Sequence, residues 1–421
     1  MHNTSIDKQA VYKGGKELLE EIESSHTRYE NQKDDSDYNF FFSAHLKPNI
    51  YSESNALNVM VKYVLEVSDY QPKQEKYLKE YIKHIELILL NLCKCVMERS
   101  WCKIPMDAGA FGADNDYPSL SFRHFTRAIK TLERIGFIQL IKGAKYTEGG
   151  QRSAIQPISV LSGRAVYIYL ESADIAKPPF AKVTKKAGID SELTESDEIQ
   201  LKQDIEDLAK LNEFLLPHSW AAKSSMTRIY SGKVGRAGRI YCSFQRLPQR
   251  RIPVRSNCLI NGEPIVEVDI KSSHPRLAVA LFYNKKLSRT FYKDIELNTG
   301  VFEGKVKAFF QNAFSCDSRD KALSSFRYNK PHGDEPDFDA VEKYVFSIYP
   351  ELPYYQGWAN IAMNYEGEII KRVMLEGMES NIVVLPIHDA VAVQEKHKAW
   401  AEEAMIRVWN DVVGVKACEV G

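Results

Sequence analysis

The chain has 421 residues, enough for two or three domains that each bury a core. Its 56 basic and 56 acidic side chains cancel, so the net charge indicates no particular partner. No apolar run reaches the length of a membrane span, and no charged leader precedes an apolar segment, which predicts neither membrane insertion nor secretion. Seven scattered cysteines favour a reducing, cytoplasmic compartment over a disulfide framework.

The first 50 residues are polar and predict an N-terminal arm. Residues 51–172 are predicted to form a DNA-binding domain that begins with long helices, because apolar side chains recur at helical spacing over 77–97. Cys93, Cys95 and Cys102 could hold zinc. However, Cys93 and Cys95 would point to different faces of the helix, which favours a place in the core.

Residues 119–142 predict a capped helix followed by a strand. Ser119 or Ser121 can cap the helix, Gly136 ends it, and a strand over 137–141 follows. A polar loop over 143–156 and a second strand over 165–171 complete the predicted order. This order resembles the winged-helix modules of plasmid and phage replication proteins, which implies a helix that binds duplex DNA in the major groove. A solvated basic face is the alternative reading of the outer side chains, which are Arg123, Arg127, Lys130 and Arg134.

Residues 173–212 are predicted to form a linker and a helix that lead to a second domain over 213–421. Between Glu213 and Glu263 the sequence has no acidic residue, and arginines alternate with aromatic residues and glycines. Arginine suits phosphate oxygens and aromatic rings stack on bases, so this basic segment predicts a nucleic-acid surface. Some of its arginines could instead pair with acidic residues of the C-terminal half. The candidates are Arg236, Arg239, Arg246, Arg250, Arg251 and Arg255.

Two stretches of the second domain carry the strongest chemical signal. In 263–278 a β-branched run carries one carboxylate that is predicted to be buried, Asp269, and then breaks into a polar corner. In 381–393 two apolar runs flank His388 and Asp389, which predicts a tight hairpin with an acid at its tip. A desolvated aspartate needs a compensating positive charge. Two such aspartates, paired on one sheet, would form the oxygen-ligand site that Mg²⁺ prefers.

This pair resembles motifs A and C of the palm of family A polymerases, a family shared by DNA polymerase I-like enzymes and single-subunit phage RNA polymerases. The resemblance covers residues 220–421 and implies a compact palm with a helical fingers insertion. It implies that Asp269, Asp389 and the Ile270 carbonyl hold two Mg²⁺ or Mn²⁺ ions, with His388 beside the primer end. The basic segment would then grip the template and primer strands.

The resemblance also implies triphosphate-binding cations between the two motifs. Lys305 and Lys307 are the first candidates, with Arg319 and Lys321 as alternates. The sequence departs from the family here, because Glu303 stands where an arginine is expected and no Tyr-Gly pair follows. His274, predicted near the nucleotide, stands where the DNA enzymes carry a glutamate, so the choice of sugar does not follow. Glu366 is expected either to support the site or to lie on a solvated helix face.

The predicted fold is therefore α+β, with a mostly helical winged-helix domain followed by a polymerase palm and fingers. The predicted function is template-directed nucleotidyl transfer by a DNA polymerase or primase-polymerase, from nucleoside triphosphates on a DNA template and primer or a duplex origin. The compact arrangement resembles replication enzymes of phages, plasmids and other mobile elements. The alternatives are a non-catalytic winged-helix initiator or regulator with a degenerate palm, and a metal phosphohydrolase built on His388 and Asp389.

Overall fold

The structure is a computed structural model and describes residues 10–14, 20, 44–98, 100–111, 117, 119–146, 150–157, 164–185, 192–249, 252–328 and 334–421. Over these residues the chain is a mixed α+β protein, as predicted, and it divides into two compact units. Unit 1 comprises Met1–Ala176, His218–Ser225 and Cys242–Ile265. Unit 2 comprises Lys177–Pro217, Met226–Tyr241 and Val266–Gly421. No helix of the described part has the length and apolar character needed to cross a bilayer.

The helices, in chain order, are α1 (Asn55–Glu66), α2 (Glu75–Glu98), α3 (Phe122–Arg134), α4 (Arg164–Leu170), α5 (Glu195–Leu215), α6 (Ser273–Tyr283), α7 (Phe291–Thr299), α8 (Glu303–Ser315), α9 (Arg319–Tyr328), α10 (Glu335–Ile348), α11 (Ala359–Glu379) and α12 (Lys398–Val413). The strands are β1 (Ala44–His45), β2 (Ile50–Tyr51), β3 (Cys102–Ile104), β4 (Ile138–Tyr146), β5 (Gly150–Pro157), β6 (Ala173–Asp174), β7 (Ala181–Thr184), β8 (Lys223–Ser224), β9 (Thr227–Ser231), β10 (Ala237–Tyr241), β11 (Leu259–Ile260), β12 (Glu263–Asp269), β13 (Leu385–Ile387) and β14 (Ala390–Gln394).

In unit 1 the helix α2 packs against α3 and α4 and is almost wholly buried over its second half. Its cysteines Cys93 and Cys95 lie in the core, and none of the seven cysteines, all of which the structure describes, forms a disulfide. Ser121 caps α3 and accepts a hydrogen bond from the His124 amide, which confirms the second of the two predicted caps. Gly136 ends the helix with a φ of 77°.

Two predictions about the following segment are wrong. The predicted strand over 165–171 is the helix α4. The buried residues come in adjacent runs, 165–166 and 168–170, on either side of the exposed Tyr167, and such runs do not fit the alternation of a half-buried strand. The predicted loop over 143–156 contains the strand β5, which pairs antiparallel with β4 and β3 in a sheet of order β1-β3-β5-β4. Pairing on both edges stabilises β5 although its sequence is largely polar.

The segment predicted as a linker also contains strands. β6 pairs with β2 and β8 in unit 1, and β7 pairs in parallel with β9 in unit 2. The predicted helix follows as α5, and Thr194 opens it with a reciprocal capping box to Asp197. Of the predicted N-terminal arm, residues 11–13 pair with residues 257–259, while 1–9, 15–19 and 21–43 lie outside the described residues.

Unit 2 contains the sheet formed by β12, β14 and β13, and the helices α6 to α12. The predicted helical insertion between the two aspartate stretches consists of α7 to α10 around an aromatic core, whose members are Phe291, Phe309, Phe310, Phe314, Phe326 and Phe338. The predicted C-terminal amphipathic helix is α12, which packs against α11 and β14.

Candidate active site

The strand β12 ends at Asp269 in the predicted strand-to-helix corner. Val268 and Ile270 are buried on one side of the strand, whereas the Asp269 side chain is 44% exposed on the other. Ser272 then adopts a left-handed backbone, with a φ of 53°, and α6 begins at Ser273. The alternation of the strand therefore turns Asp269 outward, on the same face as Glu267, and the expectation of a desolvated carboxylate is wrong for Asp269.

The predicted hairpin forms around His388 and Asp389. Ile387 pairs with Ala390, so His388 and Asp389 make up the whole turn between β13 and β14. His388 is exposed and has a φ of 56°, since a two-residue hairpin turn requires positive φ. Every residue of both strands is buried, and the hairpin presents Asp389 from a rigid base.

The two stretches meet through the backbone. The Ile270 amide donates to the Asp389 carbonyl oxygen at 3.1 Å, which joins the residue after Asp269 to the tip of the hairpin. β12 and β14 are also neighbours in the sheet. The two stretches that carry the aspartates are therefore neighbours in one sheet, and the joint role of the two side chains stays a prediction.

Asp389 lies in a strongly electrostatic environment. Burial and the neighbouring Glu366 carboxylate raise the pKa of Asp389 to about 6, and Arg239 and His274 offset part of that rise. The carboxylate is thus desolvated and faces a second negative charge. A cation bound beside it would relieve both effects.

The Glu366 side chain is fully buried, and both of its carboxylate oxygens have hydrogen-bond donors. Burial alone would raise its pKa, but His274, Arg239 and Ser273 outweigh that effect and lower the pKa to about 2. The Arg239 guanidinium donates to Oε2, with its Nε at 2.7 Å, and the Ser273 hydroxyl donates to Oε1 at 2.6 Å. The His274 Nε2 lies 3.3 Å from Oε1. The reading of Glu366 as a solvated helix face is therefore wrong.

This arrangement gives partners within the protein to two of the predicted site residues. Arg239, predicted to contact nucleic acid, binds Glu366, and its Nη2 lies 3.3 Å from the His274 ring. His274, predicted near the incoming nucleotide, is shared between these two groups and is 22% exposed. Both residues lie close to the aspartates, but their side chains already have protein partners.

Two glycines allow α11 to approach β10 closely enough for these contacts. A Cβ atom on Gly367 would lie 2.0 Å from the Gly238 carbonyl oxygen, so helix and strand touch backbone to backbone. Gly238 has a φ of 76°. Glu366 and Glu368 flank Gly367, and Arg239 follows Gly238. The glycine contact therefore sets the distance between these carboxylates and the arginines opposite them.

A buried ionic network that sequence reasoning missed lies on the other side of that contact. Arg228 is 1% exposed and donates to Asp204 at 2.8 Å and to Glu368 at 2.9 Å. Lys371 donates to the same Asp204 oxygen at 2.8 Å, and Tyr230 donates to Asp204 Oδ2 at 2.5 Å. Asp204 lies four residues before the buried Leu208, on the inward face of α5. This spacing is the sequence signal that could have predicted the burial of Asp204.

Other arginines of the basic segment have varied surroundings. Arg236 is half-buried, and Arg246 is 58% exposed and lies 3.8 Å from Glu98. Arg255 donates to the carbonyl oxygens of Gln245 and Leu247, which indicates a structural role. Arg250 and Arg251 lie outside the described residues. The alternative that some of these arginines pair with acidic residues of the C-terminal half therefore holds for Arg228 and Arg239, whereas Arg255 bonds backbone carbonyls.

The predicted triphosphate-binding cations are all paired with carboxylates. Lys305 binds Asp337, Lys321 binds Asp317, and Arg319 binds both Glu342 and Asp339. Lys307 binds Glu303 at 2.7 Å and lies 5.4 Å from the centre of the Tyr292 ring. Burial raises the pKa of Tyr292 to about 12, and the Asp389 carboxylate adds to that rise. Among the four, Lys307 therefore lies beside a ring that is close enough to Asp389 to be affected by its charge.

The outer face of α3 is only partly free. Arg123 and Lys130, two helical turns apart, are exposed. Arg127 lies over the Tyr70 ring at 3.9 Å, and Arg134 binds Asp69 at 3.1 Å. Of the four predicted DNA-contacting residues, two are therefore held by the loop between α1 and α2.

The comparisons with known proteins assign no family. No protein-family model matches the chain, and no curated protein matches it. Among solved structures, the chain is similar to the POL domain of Pol1 from M. smegmatis, solved in complex with DNA primer-template and dNTP. The identity is 10%, the match covers 96% of this chain and 68% of that chain, and the TM-score is 0.31. A likeness at this TM-score carries no argument about function.

Proposed function

We propose that unit 2 is a nucleotidyltransferase that extends a nucleic-acid strand along a template, with the palm geometry of family A polymerases. The observation that carries this proposal is the contact between the two aspartate-bearing corners, in which the Ile270 amide bonds the Asp389 carbonyl. The resemblance to motifs A and C implies two aspartates carried by neighbouring stretches of one sheet, and the backbone contact supports that arrangement.

The residues present fit a site for divalent cations. Mg²⁺ prefers hard oxygen ligands and usually takes one or two carboxylates, completing its shell with substrate phosphate and water. Asp269 and Asp389 would be those carboxylates, with the Ile270 carbonyl as a third ligand. Within the described part of the chain no group of three or more His, Cys, Asp or Glu side chains is arranged to hold a metal ion, so substrate would supply the remaining ligands. Mg²⁺ or Mn²⁺ bound here would activate the attacking hydroxyl and offset charge on the leaving pyrophosphate.

Lys307 is the proposed triphosphate-binding cation. The Lys307–Glu303 ion pair is weak, because both side chains are partly exposed and lie four residues apart on one helix. Replacing Glu303 by a phosphate as the partner of the Lys307 ammonium would therefore cost little free energy. Arg319 would have to leave two carboxylates and is the weaker candidate. His388, at the exposed tip of the hairpin, is proposed to contact the primer end.

Unit 1 is proposed to bind duplex DNA through α3. The order β3, α3, β4, β5 with a β4–β5 hairpin supports a winged-helix module. Arg123 and Lys130 would contact phosphates, since both are exposed on one side of the helix. Together, the two activities fit an enzyme that replicates a phage, a plasmid or another mobile element.

Nucleotide incorporation by isosteric variants tests the proposal. The full chain would be incubated with labelled dNTPs or NTPs, Mg²⁺ or Mn²⁺, and primed or unprimed single strands. We expect Asp269→Asn and Asp389→Asn each to lower incorporation by more than about 10³-fold. Asp411→Asn, a change on the exposed face of α12, should leave it intact. Incorporation at the wild-type rate by either active-site variant would refute the assignment, and a wild-type chain that binds duplex DNA without incorporation would favour the non-catalytic initiator.

A further inference from the structure

Lys271 places a positive charge directly on Asp269. Lys271 lies two residues beyond Asp269, where β12 ends, and its side chain reaches back to that carboxylate. The Lys271 Nζ donates to Asp269 Oδ1 at 2.8 Å. The two side chains are 41% and 44% exposed, so neither is locked in a core.

The backbone that carries this pair is held on both edges. On one edge Ile270 bonds the hairpin tip at Asp389. On the other, residues 419–421 run alongside as an extra strand. There the Lys271 amide donates to the Glu419 carbonyl at 2.9 Å, and the Gly421 amide donates to the Asp269 carbonyl at 3.2 Å. The fully buried Arg276 adds a hydrogen bond from its Nε to the Lys271 carbonyl at 2.7 Å. The backbone of Lys271, from which the side chain extends, is therefore held in place.

Because Gly421 has no side chain, the Lys271 side chain has room beside it. A Cβ atom at Gly421 would lie 3.0 Å from the Lys271 Cε and 3.7 Å from its Nζ. A side chain on that strand position would crowd the stem and shift the ammonium. The extra strand thus both fixes the backbone of the pair and accommodates its cation.

We propose that the Lys271 ammonium is a built-in counter-ion of Asp269, which a divalent cation must displace when it binds. This inference rests on the proposed function, because it takes Asp269 as a metal ligand. A carboxylate that accepts a bond from an ammonium offers less negative charge to an incoming cation. Metal binding is therefore weaker than it would be at the same carboxylates without the lysine. Partly exposed pairs of this kind are modest in strength, so the expected effect is about two- to fivefold in metal affinity.

Direct Mn²⁺ binding to the full chain, measured from the signal of free Mn²⁺ in electron paramagnetic resonance without nucleotide or DNA, tests this inference. We expect Lys271→Met to tighten Mn²⁺ binding about two- to fivefold. Lys271→Arg keeps a donor for Asp269 and should bind Mn²⁺ as the wild type does. Arg289→Gln is the matched control, because Arg289 is a nearby exposed cation that pairs with Glu419 rather than with Asp269.

The outcomes separate this inference from the proposed function. Unchanged or weaker Mn²⁺ binding by a folded Lys271→Met variant would overturn the counter-ion role while the metal site stands. Equal tightening by Arg289→Gln would also overturn it, because the effect would then reflect general charge rather than the contact. If the wild type binds no more Mn²⁺ than Asp269→Asn does, the proposed metal site fails, and the counter-ion role fails with it.

Discussion

At the scale of single residues, the two neighbouring carboxylates Glu366 and Asp389 have opposite effects on stability. Glu366 gains three partners, and its pKa falls to about 2. Asp389 is desolvated beside Glu366, and its pKa rises to about 6. An acid whose folded pKa lies above its unfolded value contributes stability only in its protonated form. That contribution is present below the unfolded value of about 3.8 and is lost as the pH rises through about 6.

Replacing Asp389 should therefore stabilise the protein at neutral pH. We expect Asp389→Asn to raise the free energy of unfolding at pH 7.5 in EDTA by up to about 3 kcal/mol, since the charged form is no longer buried. The gain should shrink as the pH falls towards 4. Urea unfolding followed by circular dichroism measures it, with the exposed Asp411→Asn as control. A gain that is independent of pH would contradict the electrostatic explanation.

At the scale of elements, the contact between β10 and α11 organises the interior of unit 2. Gly238 and Gly367 touch backbone to backbone, and charged pairs lie on both sides of the contact. On one side Arg239 binds Glu366 near the aspartates, and on the other Arg228 binds Glu368. The distance between α11 and β10 therefore sets the geometry of both the candidate site and the buried ionic network.

A methyl group at Gly367 should force this contact apart. We expect Gly367→Ala to lower the free energy of unfolding by about 3 kcal/mol or more, because the new Cβ would meet a carbonyl oxygen that cannot move aside. Gly414→Ala is the control, since Gly414 has a φ of 76° but open space around it, and that change should cost only about 1 kcal/mol. Equal losses in thermal unfolding would show that the close approach is not what matters.

The buried network makes a second prediction at this scale. We expect Arg228→Met to lower the free energy of unfolding by about 3–5 kcal/mol, because Asp204 and Glu368 would keep their charges with too few donors. Arg228→Lys should recover only part of the loss, since one ammonium cannot also replace the bond from Nε to the Gly238 carbonyl. Full recovery in chemical denaturation would contradict the role of the guanidinium fork.

Elements with a strong local pattern could be predicted from the sequence. The helix α2, the corner at Asp269 and the hairpin at Asp389 each have apolar residues at the correct spacing, and all three form. Features that depend on partners remote in the chain could not be predicted. Three such features have no periodic signal in the sequence, because each depends on a remote segment of the chain. They are the polar strand β5, the pairing of residues 419–421 with 269–271, and the ion pair between Arg239 and Glu366.

At the scale of the whole molecule, the chain combines a candidate catalytic unit with a candidate DNA-binding unit, and its balanced overall charge conceals local differences. On α3 the charge available to a partner is smaller than the sequence indicates, because Arg127 and Arg134 are engaged by Tyr70 and Asp69. Arg123 and Lys130 are left as the exposed pair.

Duplex binding should depend on that exposed pair. We expect the double variant Arg123→Gln, Lys130→Gln to weaken duplex binding and to reduce the slope of log K against log salt by about 2, one for each lost phosphate contact. The matched double variant Arg127→Gln, Arg134→Gln should change the slope less. Fluorescence anisotropy with a labelled duplex at several salt concentrations measures both, and equal slopes for the two variants would contradict the assignment.

The division of each unit among three stretches of chain has a consequence for biosynthesis. Trp220 and Cys258 pair with Ile260 and Tyr12 inside unit 1, so its contacts are incomplete until residues 242–265 have left the ribosome. By then β7, α5, β9 and β10 of unit 2 have also been made and await their own partners further along. Neither half of the gene, cut at residue 176, encodes a module that could be transplanted by itself. Folding is therefore expected to be a late event that needs one uninterrupted chain.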